Sequence, residues 1–381
     1  RGYRRLAITD TNNLYGLWSF LKSCKRENIT PIVGAELTDS ETGYRALCLV
    51  KNDQGYRNLC RIITRRHIDA AFDLKSVILT LARGLVIITQ HPELLTQWHE
   101  AGITVAAAVS GKPDGTALRL RKTSRYLGLP MLFTPGSFFT DPEDFKTHRM
   151  LRAIDLNTSL SRLTTEDTTS PDAWLASASE YSRRFAIWPD VLRATEAIAE
   201  QLTFTGPCHG LVLPPWTDIQ SNNADRALRD VTYKGARKRY GDDLSETVVD
   251  RLEHELCIIK KMGFSSYFLV VRDIVSRSPR ICGRGSGAAS LVAYSLGITN
   301  VCPIKHNLYF ERFLNPGRSD SPDIDIDFAW DERDKVLQSV LEQYKGHAAL
   351  ICNHVTFRPR MAIREVAKVF GLTEREIGRV S

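Results

Sequence analysis

Closely spaced cysteine pairs are absent from this chain. Its eight cysteines are scattered and none forms a Cys-x-x-Cys spacing, which argues against a zinc module or a disulfide framework. We expect them to be reduced and mostly buried. The chain also lacks an apolar run long enough to cross a bilayer, and it shows no signal-peptide composition. We therefore expect no membrane association and a cytoplasmic location.

Charge and length set two further expectations. The net charge of +7 favours a polyanionic partner. The 381 residues are enough for two or three domains. Because the chain begins with Arg1 rather than Met and ends just after a helical pattern, we expect a fragment of a longer polypeptide.

Three aspartates alternate with apolar residues in the segment 322–328, Pro-Asp-Ile-Asp-Ile-Asp-Phe. Strand periodicity places Asp323, Asp325 and Asp327 on one face and the apolar side chains on the other. Such a group of carboxylates is well suited to a hard divalent cation. A calcium loop is disfavoured because the intervening residues are isoleucines.

A glycine-rich segment, Gly-Arg-Gly-Ser-Gly at 283–287, precedes a helix predicted over Ala288 to Leu296 with Gly297 as its C-cap. Glycines allow close backbone approach, and a helix N-terminus suits phosphate. The segment is not a Walker A motif, because no Gly-Lys-Ser/Thr follows, and by itself it is equally compatible with an ordinary turn. Followed by the aspartates, it indicates phosphoryl or nucleotidyl transfer.

These segments resemble the palm domain of the bacterial C-family DNA polymerases. That family shows a Gly-Arg-Gly-Ser loop, a Phe-Glu-Arg-Phe-Leu-Asn-Pro segment and a Pro-Asp-x-Asp-x-Asp-Phe strand, as residues 283–286, 310–316 and 322–328 do here. The resemblance implies template-directed addition of deoxynucleotides to a primer 3′-hydroxyl with two Mg²⁺ ions. It makes Asp325 and Asp327 the catalytic, metal-binding carboxylates.

The same resemblance assigns the remaining residues of the polymerase site. Asp323 receives a lesser part in metal binding. A third catalytic carboxylate is expected further along the chain, so we expect the fragment alone to be inactive. The residues expected to bind the nucleotide are Gly283, Arg284, Gly285, Ser286, Arg312 and Arg360.

From Leu6 to Ile154 predicted strands and helices alternate, which indicates parallel β/α units in a barrel-like domain with its chemistry at the C-terminal strand ends. This portion resembles the PHP domain found at the N-terminus of C-family polymerases, through segments 7–16 and 31–36. That resemblance marks Asp10, Glu36 and His148 as remnants of a metal site. Because Thr11 and Ser137 stand where the family has ligands, we expect the PHP metal site to be lost and the barrel to be structural.

The expected fold class is α/β: a PHP-type β/α barrel followed by a partial α+β palm domain of the nucleotidyltransferase type. The predicted boundaries are 1–205 for the PHP domain, 206–223 for a linker rich in Gly and Pro, and 224–381 for the palm. A strand is predicted over Ala348 to Asn353. The following helix would carry a basic stripe of Arg360, Arg364 and Lys368.

Several functions remain open. Within the same chemistry, the Arg358-Pro-Arg360 segment resembles the error-prone translesion paralogue. A PHP-type phosphoesterase with metal ions at Asp10, Glu36 and His148 and a non-catalytic DNA-binding scaffold are rivals of other classes. For a polymerase the expected partners are primer-template DNA, deoxynucleoside triphosphates, and the sliding clamp and other replisome subunits through regions outside this chain.

Overall fold

The computed structural model describes residues 1–111, 114–208, 210, 212–213, 216, 223–317, 322–351 and 353–380. The chain divides into two compact units, one formed by Arg1–Cys208 with Val355–Ser381 and the other by His209–His354. Most of the predicted linker lies outside the described residues. The segment 355–381, predicted as part of the palm, groups with the first unit. The predicted domain boundaries stay a prediction.

The first unit contains a curled, six-stranded half-barrel sheet in which sequence order and spatial order coincide. Its strands are β1 (Arg5–Thr11), β2 (Thr30–Thr38), β3 (Arg45–Val50), β4 (Leu85–Thr89), β5 (Val105–Val109) and β6 (Met131–Phe133). Strands β1/β2, β4/β5 and β5/β6 pair in parallel, whereas β3 is antiparallel to both of its neighbours. The expected parallel units are therefore present, and β3 departs from them.

The connection between β2 and β3 explains this reversal. Only the residues from Asp39 to Tyr44 separate the two strands, whereas a parallel crossover needs about a dozen residues. The carboxylate of Asp39 accepts the backbone N–H groups of Glu41 and Thr42 at 3.0 Å each. A turn closed in this way returns the chain beside the strand it has just left.

Helices cover this sheet on both faces. In chain order they are α1 (Leu17–Arg26), α2 (Asp53–Ile68), α3 (Leu74–Leu81), α4 (Pro92–Glu100), α5 (Gly115–Tyr126), α6 (Phe145–Asp155), α7 (Ala178–Arg184) and α8 (Pro189–Gln201). Alternate strand residues such as Val33 and Ile87 belong to the larger core. The intervening residues, Val86 and Ala106 among them, pack with Leu202 at the end of α8. Helices α3 and α4 were not predicted from the sequence.

The second unit consists of helices around a two-stranded antiparallel ribbon. Its elements are α9 (Ala224–Tyr240), α10 (Glu246–Lys261), α11 (Ser265–Val275), β7 (Ile281–Arg284), α12 (Leu291–Ser295), β8 (Asp325–Phe328) and α13 (Trp330–Gln343). The core contains the fully buried Phe268, Phe310 and Phe313. The helix predicted over Ala288 to Leu296 is shorter, because a 3-10 helix, Gly285–Ala289, precedes α12.

Two expectations about the rest of the chain were wrong. None of the described residues between 348 and 353 forms a strand, and Leu350 and Ile351 are exposed, so no neighbouring strand pairs with this apolar run. Of the seven described cysteines, which form no disulfide, only Cys24 and Cys48 are buried.

The last segment of the chain contains α14 (Pro359–Val369) and α15 (Glu374–Val380), and α14 packs against α6 in the first unit. No helix in the described part of the chain combines the length and apolarity that crossing a membrane requires.

Candidate active site

The predicted aspartate strand is present, and its pairing defines the candidate site. Asp325 lies opposite Arg284 and Asp327 lies opposite Cys282 in the β7/β8 ribbon. Because directly paired residues share a face, both aspartates stand on the same side as Arg284. Asp323 is exposed and precedes the strand.

The guanidinium of Arg284 lies between these two carboxylates. Its Nη1 is 3.6 Å from Oδ2 of Asp325, and its Nε is 3.2 Å from Oδ2 of Asp327. The Arg284 side chain remains 59% exposed, and exposed ion pairs of this kind contribute at most about 1 kcal/mol each. Arg284 can therefore exchange a carboxylate for another anion at little cost.

The opposite face of β7 is in close contact with backbone. A Cβ added to Gly283 would lie 2.1 Å from the carbonyl oxygen of Ile298, so only glycine fits this position. After the strand, Gly285 adopts a positive φ of 71°. Both Gly285 and Ser286 are exposed, so this turn is open to an anion.

The N-terminus of α12 is not open in the same way, although the sequence suggested it for phosphate. A carboxylate from α10, that of Glu255, already accepts the N–H groups of Leu291 at 3.0 Å and Val292 at 3.1 Å. It also accepts the hydroxyl of Ser290 at 2.8 Å. Burial raises the pKa of Glu255, while these donors and the Arg251 guanidinium oppose that rise. A phosphate would therefore bind at the preceding turn, at Gly285 and Ser286, rather than at the N-terminus of α12.

The donor set of the site fits a magnesium ion. Within the described ranges no group of three or more His, Cys, Asp and Glu side chains is arranged to hold a metal. Asp325 and Asp327 nevertheless present two half-exposed carboxylates on one face. Magnesium is commonly bound through one or two carboxylates and completes its octahedron with water and substrate phosphates.

Two arginines predicted to bind nucleotide lie elsewhere on the chain. Arg312 is exposed at the end of a 3-10 helix, Phe310–Arg312, whose Phe310 is buried. Arg360 lies in α14, within the first unit. Of its predicted stripe partners, Arg364 forms an ion pair with Glu374 and Lys368 one with Glu365, each at 2.9 Å. The nucleotide-binding roles of Arg312 and Arg360 stay predictions.

The predicted remnants of the PHP site, Asp10, Glu36 and His148, each contact a different group. Thr11 pairs with Glu36 across β1 and β2 and donates its hydroxyl to Oε2 of Glu36 at 2.9 Å. Asp10, one residue earlier, alternates to the other face, and its carboxylate accepts the N–H of Gly16 at 3.0 Å. His148 lies on α6 and accepts the N–H of Thr169 at 3.2 Å.

The guanidinium of Arg45 lies beside Glu36, the glutamate of the predicted PHP site. Nη1 of Arg45 lies 3.7 Å from Oε1 of Glu36. Glu36 therefore has one oxygen hydrogen-bonded to a hydroxyl and the other near an exposed guanidinium. The loss of the PHP metal site stays a prediction.

Comparison with known proteins assigns both parts of the chain. The PHP domain family matches residues 1–126, and the family described as Bacterial DNA polymerase III alpha NTPase domain matches residues 226–381. DNA polymerase III subunit alpha of Bacillus subtilis (strain 168) is 34% identical to this chain over 100% of its residues. The chain belongs to the C-family of DNA polymerases.

Other C-family relatives carry a second name. An error-prone DNA polymerase of Symbiobacterium thermophilum is 32% identical over 99% of this chain, and one of Mycobacterium bovis is 30% identical over 98%. The chain spans 37% of the length of the Bacillus relative and 39% of the Symbiobacterium relative.

Two residues near the C-family motifs were missed by the sequence analysis. Glu255 lies on the buried side of α10 beside Leu252 and Leu256, and a charged residue on an apolar helix face is the signal that could have identified it. The hydroxyl of Tyr267 is hydrogen-bonded to the backbone of Ile324, and burial raises its pKa. Tyr267 thereby fixes the chain just before the aspartate strand.

Proposed function

We propose that the protein containing this chain is a DNA-directed DNA polymerase that adds deoxynucleotides to a primer 3′-hydroxyl on a template. The observation that carries the proposal is the β7/β8 pairing, which places Asp325 and Asp327 beside Arg284 and the open turn at Gly285. Carboxylates for metal ions next to groups for phosphate are the parts that nucleotidyl transfer needs. The names of the relatives support the same chemistry.

In this proposal Asp325 and Asp327 would hold two Mg²⁺ ions. Bound there, the ions would favour ionisation of the attacking hydroxyl and stabilise the leaving pyrophosphate. Arg284 would turn from the carboxylates to the triphosphate, because its ion pairs are weak and its paired N–H donors match phosphate oxygens. Backbone N–H groups of the exposed residues Gly285 and Ser286 would complete the phosphate contacts.

The test is primer extension by the full-length protein with Asp327→Asn. The amide keeps the shape of the side chain and removes its charge, so synthesis should fall by about 10² or more while the protein still folds. Asp334→Asn is a matched control, because Asp334 is 79% exposed on α13 and contacts only its neighbour Arg333 in the described structure. Near-normal extension by Asp327→Asn would refute the proposal. DNA binding without any extension by the wild type would favour a scaffold.

For the first unit we propose a structural role without a metal. The support is the position of Arg45 and Thr11 around Glu36, together with the separate contacts of Asp10 and His148. The rival phosphoesterase would require these acidic groups to share metal ions.

The partners follow from the polymerase proposal. They are primer-template DNA and deoxynucleoside triphosphates, with a sliding clamp and other replisome subunits bound through regions outside this chain. The proposed location of the protein is the cytoplasm. The relatives include both DNA polymerase III subunit alpha and error-prone polymerases at similar identity. Replicative or translesion synthesis would be distinguished by the error rate of the full-length enzyme.

A further inference from the structure

We infer that Glu255, paired with Arg251, is a positioning residue that fixes the triphosphate-binding turn from beneath. This inference rests on the proposed polymerase function. Glu255 belongs to α10, outside every motif that the polymerase reading uses. Its side chain is 0% exposed, so it does not contact substrate.

The first part of the argument is the number of donors that Glu255 accepts. Oε2 receives the Ser290 hydroxyl and the Val292 N–H, and Oε1 receives the Leu291 N–H. Arg251, one helical turn earlier, adds its Nε at 2.7 Å from Oε1. A buried carboxylate with four such donors is rigid, because losing any of them leaves a buried charge poorly satisfied.

The second part is what Arg251 does with the rest of its guanidinium. Its Nη2 donates to the carbonyl of Ala289 at 3.3 Å and to the carbonyl of Leu308 at 3.0 Å. Ala289 is the last residue of the 3-10 helix that contains the proposed phosphate turn. Leu308 leads into the Phe310–Arg312 helix. The Arg251–Glu255 pair therefore joins α10 to the end of the turn, to the start of α12 and to the segment before Phe310.

The third part is the fixation of the other end of the turn. Thr299 donates its hydroxyl to the carbonyl of Gly283 at 3.2 Å, and Gly283 lies against the backbone of Ile298. The exposed residues Gly285 and Ser286 thus lie between two fixed points. The Arg251–Glu255 pair sets the second point, so it controls the direction of the N–H groups offered to phosphate.

Kinetics of the full-length polymerase test this role with Glu255→Gln. The amide presents an NH₂ group to donors that need an acceptor, so the turn should loosen. We expect the KM for the incoming nucleotide to rise on the order of tenfold, with little change in primer-template affinity. Hydrogen exchange should become faster over residues 285–292 and stay unchanged in α10. Glu253→Gln is the matched control, because Glu253 is half-exposed on the same helix and bonds Arg229 and Tyr233 instead.

An unchanged nucleotide KM in Glu255→Gln would overturn the inference, even if the protein melted at a lower temperature. If Glu255→Gln does not fold, Ser290→Ala removes one of the four donors and must show the same KM increase in smaller measure. An unchanged KM in that variant overturns the inference as well. Failure of the polymerase proposal would look different, because the wild type would then show no primer extension or Asp327→Asn would retain it.

Discussion

The contact between Gly283 and the Ile298 backbone makes a quantitative prediction for Gly283→Ala. A carbon and a carbonyl oxygen approach no closer than about 3.3 Å, whereas the new Cβ would lie 2.1 Å from the Ile298 oxygen. Either β7 or the 297–299 segment must therefore move by roughly 1 Å. Both are main chain, so no rotamer change relieves the clash.

Gly283→Ala should lower both the stability of the protein and its activity. Overpacking of this kind costs about 1–3 kcal/mol, and each kcal/mol lowers the melting temperature of a domain of this size by about 2–4 °C. Because β7 carries Arg284 beside the carboxylates, the same shift should reduce primer extension by about 10²-fold. Calorimetry and primer extension on the full-length variant measure the two effects separately.

Gly287→Ala is a control for the stability measurement. Gly287 is also buried, but a Cβ there would meet Ile324 and Phe313 at 3.8 Å, which is an ordinary contact. Its melting temperature should stay close to that of the wild type. If Gly283→Ala melted like Gly287→Ala and extended primers at the wild-type rate, the argument from backbone contact would be refuted.

Three further predictions concern single side chains. Arg284→Lys keeps the charge but loses the paired donors, so nucleotide KM should rise while DNA affinity holds; the reverse pattern would make Arg284 a template contact. If the PHP site no longer holds metal, calorimetry of the full-length protein should give the same Mn²⁺ binding before and after Glu36→Ala, and tight binding lost in the variant would contradict this. Burial lowers the pKa of His91, whose Nε2 accepts the Arg45 N–H at 3.2 Å, so the folded state binds fewer protons. The contribution of neutral His91 to the free energy of unfolding should be complete above about pH 6.5 and decrease as the pH falls below that value. The melting temperature of His91→Gln, which keeps an acceptor, should decrease less over the same pH range.

The sequence was most informative where one local pattern decides the structure. The strands at 85–89 and 105–109 are short, almost wholly apolar runs with every residue buried, as expected for strands of a sheet covered on both faces. The aspartate strand was predictable from its alternation of aspartate and apolar residues, since Ile324 and Ile326 pack against the core of the second unit.

The expectations that failed depend on partners distant in sequence. The apolar run at 348–351 has strand composition but no neighbouring strand, and a strand is stable only as part of a sheet. The glycine-rich segment could not show that the N–H groups at the start of α12 are already hydrogen-bonded, because their acceptor, Glu255, lies on another helix. The direction of β3 was available in principle from the six-residue connection that precedes it.

The β7/β8 ribbon also separates the geometry of the candidate site from the length of the chain between its two halves. Arg284 and Asp325 are backbone partners, so their separation is set by the cross-strand spacing of about 4.5–5.5 Å. Residues inserted near Asn307, on the exposed part of the intervening segment, would not alter that spacing. The two halves could even be supplied as separate polypeptides and recombined, provided that the ribbon reforms.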